Sequence, residues 1–568
     1  MVDSLNCIQD DFITTDNLGE SHSYVSTCPI LLVNNYYRIE IYRYDGRFLD
    51  NCHISGRNSD SEPWEIIFRL ADKREGSFIS PKDYCQVRFT WNKRQPETNT
   101  RISFWIRPES VNHRNAYVSV NGDDSNPGTV AYPYKTIAKA LSMKPKNVYL
   151  RKGDTFYESL TLNGVNLKSY GEGTKPTLSG LKILPVSAIE RGIINSQGEW
   201  AVSENGIVWR INLAMSASMY DGFKTSTSPF NNIGTIVDLS NGLSLNCRRV
   251  QNAENLITSI INWLIWQPTS TPTSNTPTSN FNYLYVRYNG DLRKYKLGVT
   301  VGTTGLNAQN CLVEGIKVAY WGRHGIQAGS DLRVRDCEID CIGGMIQIGY
   351  PSWVCLGNGI EFYVTDCIHD SLVENCEVSH CYDAGLTIQG SSENKLMAKN
   401  VIFRNNTIRK CCQSFEEFLR GGTSDSVFVG CLFEFNKSYE AGRATGFRYD
   451  SSRYKKCHVL SNSNKRNTGM IYRHNVFDKG NFRCSGPYIV NGKAQYNQGI
   501  WEDNKCRIEL GFDLIGDYIG KNDVIKIPLN KGSFPTLNDA VNDAIKEYRH
   551  LTDDTETTFE IINALITN

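Results

Sequence analysis

From about residue 306 the chain repeats one unit. The stretches CLVEGIKVAYWGRHGIQAG, LRVRDCEIDCIGG, GNGIEFY, SLVENCEVSHCYDAGLTIQG, NVIFRNNTIRKCCQSFEEFL and SVFVGCLFEFNKSYEAGRATGFRYD follow one another. Each unit reads as a short strand, a turn of Cys, Asn and Gly, a second strand, a loop and a third strand. Three short strands per unit predict one coil of a parallel β-helix. Each coil buries an inward apolar row and stacks on the next at about 4.8 Å. The recurring Cys337, Cys376, Asn406 and Cys431 are expected at equivalent places, as inward or turn-stacking ladders.

The chain of 568 residues is too long for one compact core. The expected class is all-β, with a parallel β-helix solenoid over 113–525 that is interrupted near 187–300. The interruption holds PTSTPTSNTPTSN, a polar repeat with no apolar face, which reads as a flexible loop. Residues 1–112 read as a β-sandwich-like domain from YRIEIYRYDGRFLD, WEIIFRLA, CQVRFTWN and RISFWIR. Residues 526–568 read as a short helical cap or oligomerisation segment, because Leu537, Val541, Ile545, Tyr548 and Leu551 recur at helical spacing.

With 61 basic and 60 acidic residues the net charge is +1, which gives no electrostatic case for nucleic acid. No apolar run approaches about 18 residues, so no membrane insertion is expected. The opening MVDSLNCIQDDFITTD shows no signal peptide, so the 18 cysteines are expected as reduced thiols. No Cys/His spacing of a zinc site, phosphate loop, nucleophile elbow or calcium loop occurs. No metal or cofactor is expected.

Strand parity marks a candidate site. Aligning the third strands by their leading Gly or Ser places Gln327, Glu361, Thr387, Glu416 and Arg448 in one outward polar column. Glu361 and Glu416 fall two rungs apart, roughly 9–10 Å by backbone spacing. Such carboxylates suit an acid and a base flanking a glycosidic bond. Arg448 is placed to bind an acidic sugar or to act as a lyase base. Asp383 and His324 sit at the edge of the same face, and Gln389 is the next outward residue after Thr387. Tyr350 and Trp353, in the loop before GNGIE, are candidate sugar-stacking rings. The catalytic candidates are thus Glu361, Glu416, Asp383 and Arg448. The substrate-binding candidates are Gln327, His324, Thr387, Gln389, Tyr350 and Trp353.

The run from Tyr117 to Leu162 resembles the N-terminal entry of right-handed parallel β-helix proteins of the pectate-lyase-like superfamily. Residues about 199–420 are similar to bacterial and phage members of that group, through His324–Ile326, Ile342–Gly344, GNGIE at 357–361, DAGLTIQG at 383–390 and QSFE at 413–416. The resemblance implies a right-handed coil, a short helix capping its open end, and carbohydrate as ligand. The reading it favours is a phage tail spike or fibre in the virion tail. That protein would be a homotrimer joined to other tail proteins, binding and depolymerising host cell-surface polysaccharide. The alternatives are a bacterial polysaccharide lyase or glycoside hydrolase, secreted or on the cell surface, and a non-catalytic glycan-binding adhesin.

Overall fold

The structure is a computed structural model. It describes strands within 22–108, residues 115–213, 233–267 apart from 246 and 251, and 283–345. It further describes 355–392, 395–421, 427–442, 457–461, 469–478 and strands within 481–562. Contacts divide the chain into two units, Met1–Lys146 and Asn147–Asn568.

In the first unit the described strands form two antiparallel sheets. One runs His22–Ser26, Gln86–Asn92, Asp50–Arg57, Glu65–Leu70, and the other Glu75–Ile79, Tyr36–Arg43, Ile102–Pro108. The helix expected after the Asp/Asn-rich turn spans Ile137–Ser142. Thr136 caps it, its hydroxyl accepting from the Lys139 N–H.

The second unit is a parallel β-helix with three sheets. One coil runs Arg333–Arg335, Glu338–Ile342, Ile360–Tyr363. The next runs Cys367–Glu374, Glu377–Cys381, Ala384–Ser392, and a third Met397–Arg404, Thr407–Arg409, Gln413–Gly421. Each strand pairs in parallel with the equivalent strand of the next coil. Ile326, Ile360, Leu386, Phe415 and Val459 lie in successive register and are fully buried. Phe362, Phe403, Phe415, Phe433 and Tyr472 form a chain of ring contacts along the axis.

The tight corner between the first two strands of each coil explains the Asn and Cys pattern. Asp336, Asn375, Asn405, Phe435, His474 and Asp503 take left-handed backbone there, and the next residue points inward. That next residue is Cys337, Cys376, Asn406, Asn436, Asn475 or Asn504. Each asparagine amide donates to a carbonyl of the preceding coil: Asn406 to Val373 at 3.0 Å, Asn436 to Phe403 at 3.0 Å, Asn475 to Phe433 at 2.8 Å. Each Oδ1 also accepts the N–H of the residue one rung earlier, as Asn436 does from Asn406 at 2.9 Å. Corner amides that no strand could satisfy are thereby paired inside the core. Cys431 is not part of this ladder. It begins the strand Cys431–Glu434, and Asn436 holds the ladder position. The described cysteines between Cys247 and Cys431 are free thiols, mostly buried.

The interruption is not merely a loop. Trp200–Val202, Ile189–Ile194, Val208–Asn212, Tyr283–Arg287, Leu264–Trp266 and Arg248–Arg249 form one sheet. Leu181–Ile183, Leu297–Thr300, Ile236–Asp238 and Leu243–Ser244 form another. Trp209, Ile211, Ile236, Leu284, Val286 and Val299 close a separate core between them. The repeat PTSTPTSNTPTSN falls outside the described residues.

In the C-terminal segment, Thr558–Ile562 is a strand paired in parallel with Val524–Pro528, which itself pairs with Lys505–Arg507. Its sequence TFEII is aromatic and β-branched, which suits a strand better than a helix. Leu537–Leu551, where the helical spacing lies, are outside the described residues. Among the described residues no helix is long and apolar enough to cross a membrane.

Candidate active site

The column lies on the sheet Ile326–Ala328, Ile360–Tyr363, Ala384–Ser392, Gln413–Gly421, Cys457–Ser461. Gln327 pairs with Glu361, Glu361 with Thr387, and Thr387 with Glu416, so four of the five proposed positions are in register. The fifth is corrected. Leu460, not Arg448, lies beside Glu416, and Arg448 falls outside the described residues. Tyr350 and Trp353 are outside them as well.

A second correction concerns solvent. The column faces away from the coil interior, yet Glu361 is 1% exposed, Thr387 0% and Glu416 7%. Parity identifies a face, but not what covers it. The insertion packs on the loops that lead into the column. Gly234 lies against Gly322, Gly343 and Gly344, and Arg249, fully buried, donates to the carbonyls of Ile233 and Gly344. Gly343 and Gly344 have φ of 100° and 96°, and a Cβ on Gly344 would meet the Gly234 carbonyl oxygen at 2.2 Å. The close approach therefore requires glycine at 344.

Around Glu361 the side chains form a small closed set. Gln389, one residue past the partner strand's isoleucine, donates its amide to Glu361 Oε1. His324 presents Nε2 3.0 Å from Glu361 Oε2. Its other nitrogen, Nδ1, accepts the Asn358 N–H at 3.3 Å, and the Asn358 carbonyl oxygen of the side chain accepts from the Ala384 N–H at 3.1 Å. Nδ1 is thus an acceptor, and a neutral ring must carry its proton on Nε2. The 3.0 Å approach is off-line for a hydrogen bond, so Oε2 has no partner of good geometry, and neither does the Thr387 hydroxyl one rung away.

The charges follow from this burial. Desolvation raises the Glu361 carboxyl to about 7. The Gln389 bond, the Arg323 charge and the Asn358 amide pull it back, and the Asp383 carboxylate adds to the rise. Burial also raises Asp383 to about 7, and it lowers His324 to about 3, with the Arg323 charge adding to that fall. Near neutral pH the ring is neutral, and burial favours the protonated form of both Glu361 and Asp383. A protonated Glu361 cannot give its proton to His324, whose facing nitrogen already bears one.

Several of these residues escaped the sequence. Arg323 lies in no motif, and Asn358 lies in GNGIE at 357–361, of which only Glu361 stands among the site candidates. Glu417 was not singled out either. It points inward, fully buried, and accepts from the Tyr472 hydroxyl at 2.9 Å. It therefore belongs to the core and not to the column. Asp383 is half-buried at the corner that leads to Thr387, with its N–H on the Gly357 carbonyl at 3.2 Å.

No protein-family model matches the sequence, and no curated protein matches it. Solved structures with some likeness include a glycoside hydrolase (TM-score 0.36, 10% identity, 69% of this chain and 96% of that one). Another is the GH136 lacto-N-biosidase from Eubacterium ramulus (TM-score 0.30, 11% identity, 79% and 68%). A third is an alginate lyase from Paenibacillus sp. str. FPU-7 (TM-score 0.29, 10% identity, 67% and 86%). At scores this low the likenesses decide neither fold nor activity, and the parallel β-helix rests on the strand register itself.

Proposed function

We propose that this β-helix cleaves a polysaccharide by acid–base hydrolysis, with Glu361 as the proton donor to the glycosidic oxygen. The observation that carries the reading is the orphaned Oε2 of a buried carboxyl whose neighbouring imidazole is locked as a donor. Glycoside hydrolysis needs such an acid beside a second carboxylate that stays ionised. Asp383, whose charge acts on Glu361, is the candidate second group, ionised when Glu361 holds the proton. Mutual repulsion disfavours ionising both, so one proton is held between two sites near neutral pH. Gln389 fixes the orientation of Glu361, Asn358 fixes the ring, and the Thr387 hydroxyl offers a hydrogen bond to a sugar. Glu416, one rung beyond Thr387, and Gln327, one rung before Glu361, continue the polar row on either side of the proton donor.

The test is incubation with a panel of capsular and plant polysaccharides, reading reducing ends together with the ultraviolet absorbance of a new C=C bond. New reducing ends without new unsaturation support hydrolysis. Unsaturated products would replace it with a lyase reaction, and binding without cleavage would leave a glycan-binding adhesin. Glu361→Gln is expected to lower turnover by a factor of roughly 10² to 10⁴ while sparing glycan binding.

A further inference from the structure

A second group of side chains lies outside the Glu361 site, at the seam between the solenoid and the insertion. Asp340, Cys341 and His380 each offer one donor atom, and the three atoms lie within 4.8 Å of one another. Register explains the grouping. Asp340 pairs with Ser379 and Ile342 with Cys381, so Cys341 stacks beside His380 across one rung. His380 Nδ1 is already 2.8 Å from Asp340 Oδ1, and the Ser379 hydroxyl donates to the same oxygen at 2.9 Å. Cys341 is 2% exposed, with Sγ 3.9 Å from the Gly242 carbonyl of the insertion. Tyr320 holds that carbonyl from the other side at 3.0 Å.

We propose that Asp340, Cys341 and His380 bind one divalent cation of the zinc class and so tie two neighbouring coils of the solenoid together. A nitrogen, a carboxylate oxygen and a sulfur together suit a borderline metal such as zinc and do not suit calcium or magnesium. Zinc bonds of roughly 2.0–2.3 Å at tetrahedral angles put donors about 3.3–3.7 Å apart, so the widest pair has only about 1 Å to close. Asp340 and His380 each keep 19% of their side-chain surface exposed, which gives an ion a way in and leaves a position for water. Ser379 supplies the outer hydrogen bond that orients the carboxylate. Lys317 approaches Asp340 Oδ2 at 3.8 Å, and it keeps Glu338 at 3.7 Å as a partner when the ion takes the carboxylate. Binding breaks the Cys341 S–H bond, forms a metal–sulfur bond and releases one proton to the buffer, with no change of oxidation state. Sequence spacing does not reveal the site, because Asp340 and Cys341 lie on one coil and His380 on the next.

The test is titration of the full chain, freed of metal by a chelator, with Co²⁺ and then competition with Zn²⁺. The expected result is one Co²⁺ per chain, a sulfur-to-cobalt charge-transfer band in the near ultraviolet, and loss of that band on adding Zn²⁺. Cys341→Ser should abolish the band, and His380→Ala should weaken binding at least tenfold. Asp340→Asn decides in place of either variant that fails to fold. Absence of the band, or binding that persists unchanged in Cys341→Ser, overturns the proposal. The second outcome would point instead to the exposed Asp331, His369 and Asp370 group.

Discussion

His324 turns a protonated Nε2 toward Glu361 Oε2 at 3.0 Å, because the Asn358 N–H occupies its other nitrogen. A carboxyl beside a basic imidazole would ordinarily lose its proton to it. Here the facing nitrogen already carries the ring's proton, and burial, with the Arg323 charge, lowers the ring's own pKa to about 3. The pair therefore keeps its proton on the carboxyl, where a proton donor needs it.

The first prediction concerns stability against pH. Glu361 is raised in the folded state from an ordinary 4.5 to about 7. A raised carboxyl contributes stability fully present below its unfolded pKa and lost as pH climbs through the folded one. Relative to Glu361→Gln, the wild type should lose about 3 kcal/mol between acid and neutral pH, spread over roughly pH 4.5 to 7. Urea unfolding of both proteins across that window checks it. A constant difference between them would mean that the carboxyl is not raised.

His324 works with the opposite sign. Its depressed pKa gives stability that is present above about 6.5 and lost as pH falls toward 3. Replacing the ring by His324→Ala opens Glu361 to water and should move its pKa back toward the ordinary range. The high-pH limb of kcat/KM is then expected to shift down by about one pH unit or more. A lowered rate with an unmoved limb would assign His324 a packing role only.

Much of this site was legible in the sequence, and the misses have physical causes. Parity and leading glycines gave the order Gln327, Glu361, Thr387, Glu416, because inward Ile360 and Leu386 force the intervening residues outward. Arg448 was misplaced because the strand beside Gln413–Gly421 starts at Cys457 without a leading glycine, so a glycine-led match earlier in the chain took its rung. Burial of the column was not legible. Its neighbours include loops packed under Gly234 and Arg249, far away along the chain, and no periodicity reports a contact of that range. The insertion's own core was missed in favour of its polar repeat, although the alternating IVWRINL over 207–213 marks the strand that carries Trp209 and Ile211.

The asparagine ladder yields a stability prediction. Asn436 donates to the Phe403 carbonyl, accepts from the Asn406 N–H, and passes the same bonding on to Asn475. Asn436→Ala leaves buried corner amides unpaired and should cost about 2–4 kcal/mol. The denaturation midpoint reads this directly. A loss below about 0.5 kcal/mol would show that water replaces the side chain.

Gly344→Ala tests whether the insertion must lie on the column. The new Cβ would meet the Gly234 carbonyl at a backbone angle that only glycine takes easily. The expected outcome is a destabilisation of about 2 kcal/mol or more together with lost turnover. Normal stability and activity would show that the insertion does not support the site.

We propose the virion tail as the location, on the sequence resemblance alone. That placement predicts a homotrimer resistant to heat and detergent, which light scattering measures. A monomer under the same conditions would favour the free-enzyme reading.

The central claim is that Glu361 holds a proton near neutral pH. Infrared difference spectra of the carboxylic C=O stretch, wild type minus Glu361→Gln, followed from about pH 5 to pH 8, isolate that one group. The account predicts a protonated-carboxyl band that disappears with a midpoint near 7. A band already absent at pH 5, with titration in the ordinary carboxylate range, would contradict it.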